Sequence, residues 1–260
     1  MKKNKLHSAI SCFLAIALLF AMLPPMAMPA RASGSLPSGV DRAKVVWDVE
    51  NAPDNMTDWV IDRFKEEWGG DYGVSAGQWT PKGANGKGVN GSRALQWEIY
   101  GTAWGSTSYI VLSKDSTAVT DWSGAENLYF YIDASEQNVD FKADLLLYTK
   151  NNGMIEMVSG APYAYWDGSK WVDTNIDDYH HLSISAGYVG WIRLPLASVY
   201  NNPDLSEVQR LGFLLDHHHA GASVYFDYFA VENPSVKTPD EIASTVTVWD
   251  VENTPDDMTD

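Results

Sequence analysis

The chain has 260 residues and a formal net charge of −16, from 18 Lys and Arg against 34 Asp and Glu. That length fits one compact domain with extras and not three full domains, and 12% aromatic residues, including 11 Trp and 13 Tyr, exclude an intrinsically disordered acidic chain. The charge argues against nucleic acid, whose phosphates need Lys and Arg, and equally against a membrane of anionic lipid.

Lys2, Lys3 and Lys5 precede an apolar run from Ala9 to Leu23, which Pro24-Pro25 closes. The run is about 15 residues, short for a membrane span, and Ala30-Arg31-Ala32 fits a small-residue cleavage site. Residues 1–32 are expected to be a signal peptide, with an uncleaved N-terminal anchor as the alternative. The only cysteine, Cys12, lies inside that segment. An exported domain without disulfides needs a real core, or a metal as its staple.

Val46 to Asp58 reads VWDVENAPDNMTD, and Val248 to Asp260 reads VWDVENTPDDMTD, identical at eleven of thirteen positions with an offset of 202. That period is too long for a solenoid and indicates a tandem array of domains. The expected organisation is one module over 43–232, a proline-containing linker over 233–245, and the opening strand of a second copy over 246–260. The sequence then reads as a fragment of a longer protein or as a protein cut short.

Within the module, Lys44 to Val49 is a candidate first strand. Asp58 to Trp68 is the one region with helical spacing, but without a clean stripe, so it is a single helical turn or an irregular loop. Ser92 to Tyr100 sets Ala94, Gln96, Glu98 and Tyr100 against Leu95, Trp97 and Ile99, the two faces of a strand. Thr107 to Leu112 follows. Asn127 to Ile132 alternates Leu128, Phe130 and Ile132 with Tyr129 and Tyr131. After Phe141 to Thr149, the stretches Tyr163 to Trp166 and Lys170 to Asp173 flank Asp167-Gly168, a hairpin turn signal. His181 to Ser185, Gly190 to Pro195, Val208 to Leu215 and Ala222 to Glu232 complete the set. In the last, alternation places Val224, Phe226 and Tyr228 on one face and Tyr225, Asp227 and Phe229 on the other. Many short strands between Gly and Asn turns predict an all-β chain folded as a β-sandwich, with a jelly roll as its connection.

Several segments carry a resemblance in their order: Val46-Trp47-Asp48-Val49-Glu50-Asn51, Gly91-Ser92-Arg93-Ala94-Leu95, Asp121-Trp122-Ser123-Gly124, Gly190 to Leu196, Asp204 to Val208 with Leu211-Gly212-Phe213, and Val224 to Phe229. Together the set resembles the jelly-roll carbohydrate-binding modules attached to secreted, multidomain bacterial polysaccharide-degrading enzymes, and covers nearly all of 43–232. The resemblance implies non-catalytic binding of a polysaccharide, which targets an attached glycoside hydrolase or similar enzyme to its substrate. It implies further domains in the same chain, a secreted or cell-surface location, and a structural calcium between the first and last strands. A structural spacer of the same fold is the alternative, and a sandwich lyase or hydrolase stands third.

Sugars offer C–H faces that stack on rings and hydroxyls that need fixed polar partners. Tyr129 and Tyr131, pointing away from Leu128, Phe130 and Ile132, are candidates for such a platform, with Tyr148 at the end of a candidate neighbouring strand and Trp166 and Trp171 around the Asp167-Gly168 turn. Gln96, Glu98 and Arg193 are the candidate hydrogen-bonding partners. Each ring has a competing role in a core or sheet interface. The acidic balance favours a neutral glycan over an acidic one.

Calcium requires six to eight hard oxygen ligands. Asp48 and Glu50 lie at i and i+2, and Asp227 sits within the last strand, where an unpaired carboxylate is costly. These three are the candidate calcium ligands, against hydrogen-bonded carboxylates without metal. His217, His218 and His219 cannot all reach one site from a strand, and no zinc motif accompanies them. No catalytic residue is nominated. A Glu98–Asp133 pair has no fixed separation, Gly83, Gly86, Gly88 and Gly91 sit in a Lys/Asn-rich loop without the helix that a nucleotide fingerprint needs, and no cysteine nucleophile occurs in the module.

Overall fold

A computed structural model describes residues 36–62, 81–98, 106–216 and 221–232. The expected signal peptide, the linker, the second-copy strand, His217 to His219 and the far ends of the Asp58–Trp68 and Ser92–Tyr100 segments lie outside the described residues.

Fourteen strands occur among the described residues: β1 (Lys44–Trp47), β2 (Val60–Asp62), β3 (Lys82–Ala84), β4 (Ala94–Glu98), β5 (Ser106–Val111), β6 (Asn127–Asp133), β7 (Phe141–Thr149), β8 (Gly153–Ile155), β9 (Pro162–Trp166), β10 (Trp171–Asn175), β11 (Leu182–Ile184), β12 (Val189–Pro195), β13 (Val208–Asp216) and β14 (Ser223–Val231). One turn of helix, α1 (Leu196–Val199), follows β12. The first sheet runs β10-β9-β12-β6-β14-β4-β3, with β1 also against β14. The second runs β11-β7-β13-β5-β2, with β8 against β7. All the strand pairs are antiparallel. The architecture is an all-β, two-sheet, jelly-roll-like sandwich.

Period-two alternation builds the core. Leu128, Phe130 and Ile132 of β6 and Ile192 and Leu194 of β12 point inward with Leu95 and Trp97 of β4. Leu145 and Leu147 of β7 and Leu211, Phe213 and Leu215 of β13 meet them from the other sheet. Phe213 and Phe226, from opposite sheets, approach to 4.5 Å between ring centroids, and Trp97 lies 5.0 Å from Phe213. Ring pairs at this spacing add to the burial of their area.

The last strand departs from simple alternation. Tyr228 takes the left-handed backbone region at φ 53°, and the register against β6 shifts between Asp227 and Ala230. This bulge inserts an extra residue and reverses the facing beyond it. Phe229 and Val231 therefore join Val224 and Phe226 in the core, and Tyr228 turns to the outer face, the reverse of the expected pattern. The helical spacing after Asp58 corresponds to a 3-10 turn at Thr57–Trp59 that leads directly into β2. Among the described residues no helix is long and apolar enough to cross a membrane.

Phe226→Ala removes the ring that bridges the sheets and is expected to cost about 3–5 kcal/mol. Urea unfolding of the module should show a lower midpoint with an unchanged slope.

Candidate functional site

The outer face of the first sheet carries a second aromatic cluster. Tyr129 and Tyr131 of β6 project there, as alternation requires, beside Trp191 of β12. Tyr131 and Trp191 lie 5.6 Å apart, and Trp191 lies 5.3 Å from Tyr228. Toward the sheet edge Trp171 of β10 lies 5.8 Å from Tyr129, and 5.4 Å from Trp166 of β9 in an edge-to-face pair. The β9–β10 register pairs Trp166 directly with Trp171 across the Asp167-Gly168 turn. Asp167 closes that turn by accepting hydrogen bonds from the Ser169 and Lys170 amides.

Only part of this cluster is open. Tyr129 is 2% exposed and Tyr131 8%. The chain ahead of β1 covers them: Val40, in a 3-10 turn at Val40–Arg42, is 1% exposed and packs with Tyr129, Tyr131 and Trp191. A Cβ on Gly39, which sits at φ 96°, would run into the Tyr129 hydroxyl, so a larger residue would not fit there. The Trp171 indole N–H donates to the Ser38 carbonyl at 3.0 Å. The Tyr129 hydroxyl donates to Glu232 at 2.9 Å, and burial together with that carboxylate pushes its pKa up. Tyr129 and Tyr131 are thus on the expected face but beneath a cover.

Trp166 and Trp171 remain half-exposed. Arg193 of β12 lies over the Trp171 ring at 5.1 Å and pairs with Asp173 at 3.0 Å. Asp173 was not nominated from sequence. Its position two residues after Trp171 on β10 puts it on the same strand face, the one signal that pointed to it.

The other candidates lie elsewhere. Tyr148 is on β7, in the second sheet, where Arg210 lies over its ring at 4.6 Å. Its strand is next to Asn127–Asp133 in sequence but not in space, because consecutive strands of a sandwich often change sheets. Gln96 of β4 donates to Ser223 at 2.9 Å, three strands away from β12. Glu98 ends β4 opposite Ser223, and its side chain lies outside the described residues.

The second cluster forms around Asp227. Along one edge of β14, β4 pairs with Ser223 to Phe226 and β1 with Phe229 to Val231. Asp227 and Tyr228 fall in the gap between those two neighbours. There the Asp227 carboxylate accepts hydrogen bonds from the Val89 amide at 2.8 Å, the Ser92 hydroxyl at 2.8 Å and the Tyr228 amide at 2.6 Å. Gly88 must be glycine, because a Cβ would run into both Asp227 and Ser92. Three non-glycine residues with left-handed backbone surround the site: Val49, Asn90 and Tyr228, at φ 56°, 55° and 53°. Strain of this kind persists only where the surroundings over-determine it.

Asp227 is 1% exposed, and burial pushes its pKa up to about 7 against the opposing hydrogen bonds, with the Glu50 charge adding to the rise. Glu50 itself accepts from the Arg93 amide at 3.1 Å. The Arg93 guanidinium is committed to the Ala52 carbonyl, Asn85 and Asp54. Glu50 and Asp227 are thus brought into electrostatic contact. Asp48 instead accepts from the Glu50 amide at 3.1 Å and shapes the turn. Among the described residues no group of three or more His, Cys, Asp or Glu is placed to hold a metal ion.

No protein-family model matches the chain, and no curated protein matches it. Among solved structures it is similar to an exo-β-agarase at 14% identity and a TM-score of 0.43, over 76% of this chain and 26% of that one. It is similar to a family 30 carbohydrate-binding module of a Clostridium thermocellum cellulosomal cellulase, also at 14% identity and 0.43, over 74% and 98%. A xylan-binding domain from Paenibacillus barcinonensis aligns at 10% identity and 0.38, over 79% and 99%. The chain therefore spans about a quarter of the agarase. These are resemblances of β-sandwich fold at low sequence identity.

The Asp227 carboxylate makes a signed prediction for metal-free protein. An unfolded aspartate titrates near ~3.9 and the folded one near about 7. Between those values the folded state holds the extra proton, so this contribution to stability is full below about pH 4 and is lost as pH rises through about 7. The loss is on the order of 4 kcal/mol, from about three pKa units at 1.36 kcal/mol each. Urea melts from pH 4 to 8 in chelator should show the decline, and Asp227→Asn should flatten it.

Proposed function

We propose that the module binds a neutral polysaccharide without catalysis, through Trp166 and Trp171 with Arg193 and Asp173. The observation that carries this reading is the half-exposed indole pair at a sheet edge, 5.4 Å apart, with a fixed cation and carboxylate beside it. Apolar ring faces take the C–H face of a pyranose, and the Arg193–Asp173 pair offers donor and acceptor to its hydroxyls. The acidic chain repels acidic glycans. In this reading the protein is secreted or held at the cell surface, where it brings an attached glycoside hydrolase or similar enzyme, in a further domain of the same protein, to its substrate.

Calcium belongs to the same proposal. The Asp227 carboxylate is buried and feels the Glu50 charge, and a hard divalent cation between them would neutralise both. Such an ion would stand between the β1–β2 loop, the β3–β4 loop and the break in β14, and would hold these together. Asp48 would act on it only by shaping the Glu50 turn.

A second reading, a spacer domain, is favoured by one observation: Tyr129, Tyr131 and Trp191 are all buried, in a cluster that Val40 ahead of β1 shares with Val89 and Tyr228. The two readings separate in affinity electrophoresis against soluble β-glucan, xylan and mannan. Binding predicts retardation by one of them, weakened about tenfold, or about 1.4 kcal/mol, by Trp171→Ala or Trp166→Ala with the fold intact. A spacer predicts no retardation by any. Calcium added to metal-free protein at a hundred times its Kd should stabilise it by about 2.7 kcal/mol, read as a higher Tm, and Asp227→Ala should remove the response.

A further inference from the structure

The cover over the outer aromatic face is held differently from a strand. Its backbone hydrogen bonds close on themselves: Val40 to Pro37, Arg42 to Gly39 and Ala43 to Val40, with the Gly39 amide on the Asp41 side chain. Strand pairing with the sheet begins only at Lys44. What joins the cover to the face is the Val40 side chain, Gly39 against Tyr129, the Ser38 carbonyl on the Trp171 indole, and an Arg42–Glu232 ion pair at 3.8 Å. Lifting it breaks no ladder hydrogen bond and leaves its own turn satisfied, so the main cost is the exposure of apolar surface.

Those contacts are also the ones a sugar makes. Val40 packs its apolar side chain into the aromatic cluster, and Ser38 offers one oxygen to an indole N–H. The rings beneath continue without a gap from the open pair: Trp166 to Trp171 to Tyr129, with Tyr131 and Trp191 beside them. A glycan that lies along Trp166 and Trp171 meets the cover at Ser38.

We propose that Leu36 to Arg42 form a strap that acts as an internal stand-in ligand: it occupies the inner part of the sugar-binding face, and a glycan chain displaces it to reach Tyr129, Tyr131 and Trp191. This rests on the polysaccharide-binding reading of the same face. The strap then lowers the apparent affinity of any glycan that extends past Trp166 and Trp171, because reaching the inner rings must first uncover them.

The test uses the full chain with soluble β-glucan, xylan and mannan as probes. Gly39→Val drives a side chain into Tyr129 and unseats the strap without touching the sandwich core. It is expected to bind the retained glycan about tenfold more tightly than the unsubstituted protein. Adding Tyr131→Ala to it should cancel the gain. A second readout needs no substitution: saturating glycan should speed tryptic cleavage after Arg42 several-fold. If the unsubstituted protein binds glycan but Gly39→Val binds no better, or cleavage after Arg42 is unchanged or slowed by glycan, the strap is a fixed cover and the inference is overturned. If neither form binds any probe while both unfold cooperatively, the sugar reading itself falls, and this inference falls with it.

Discussion

Strand β14 has to serve three neighbours. One edge pairs with β6 on both sides of the bulge, and the other is divided between β4 and β1. A regular strand cannot change partner midway without leaving backbone groups unpaired, and buried unpaired groups are costly. The bulge at Asp227 and Tyr228 resolves this. It returns Phe229 and Val231 to the core, sends Tyr228 to the aromatic outer face, and leaves the Asp227 carboxylate in the gap to accept the amides and hydroxyl that converge there. The core, the outer cluster and the carboxylate pair all depend on that one irregularity.

The bulge also shows where sequence reasoning reaches its limit. Alternation identified β4 and β6 closely, because Leu95 and Trp97, and Leu128, Phe130 and Ile132, fall on one face and meet the core between the sheets. The Asp167-Gly168 turn identified the β9–β10 hairpin. The three-residue strands β2, β3 and β8 carry too little pattern to be read, whereas β11, equally short, is marked by Leu182 and Ile184. Nothing local in Val224 to Phe229 marks the change of facing, since Tyr228 is an ordinary strand residue whose backbone conformation is imposed by its neighbours.

The site divides in the same way. Trp166 and Trp171 are paired across the hairpin, as the Asp167-Gly168 turn implies, and Arg193 reaches Trp171 from the sheet's β12, a placement that only the topology supplies. Tyr129 and Tyr131 have the expected direction, but direction is a local property and exposure is not. Val40 stands 89 residues before Tyr129 in the chain, and only the folded structure brings it over the ring. Tyr148 fails for a related reason: sheet membership is a matter of topology, and adjacency along the chain does not determine it. Asp227 was legible as a costly buried carboxylate, whereas Asp48 was grouped with it by spacing alone and serves a turn.

The pairing of β1 with β14 has a mechanical consequence. Lys44, where the first strand begins, lies opposite Val231, where the last one ends. The chain therefore arrives and departs at the same end of the sandwich, on neighbouring antiparallel strands. Tension along the chain would pull those strands apart from one end and load their hydrogen bonds one after another, like a zip, instead of shearing them all at once. A domain anchored in this way yields at its termini under low force, while the sheets behind it, closed by Phe213 and Phe226, stay packed.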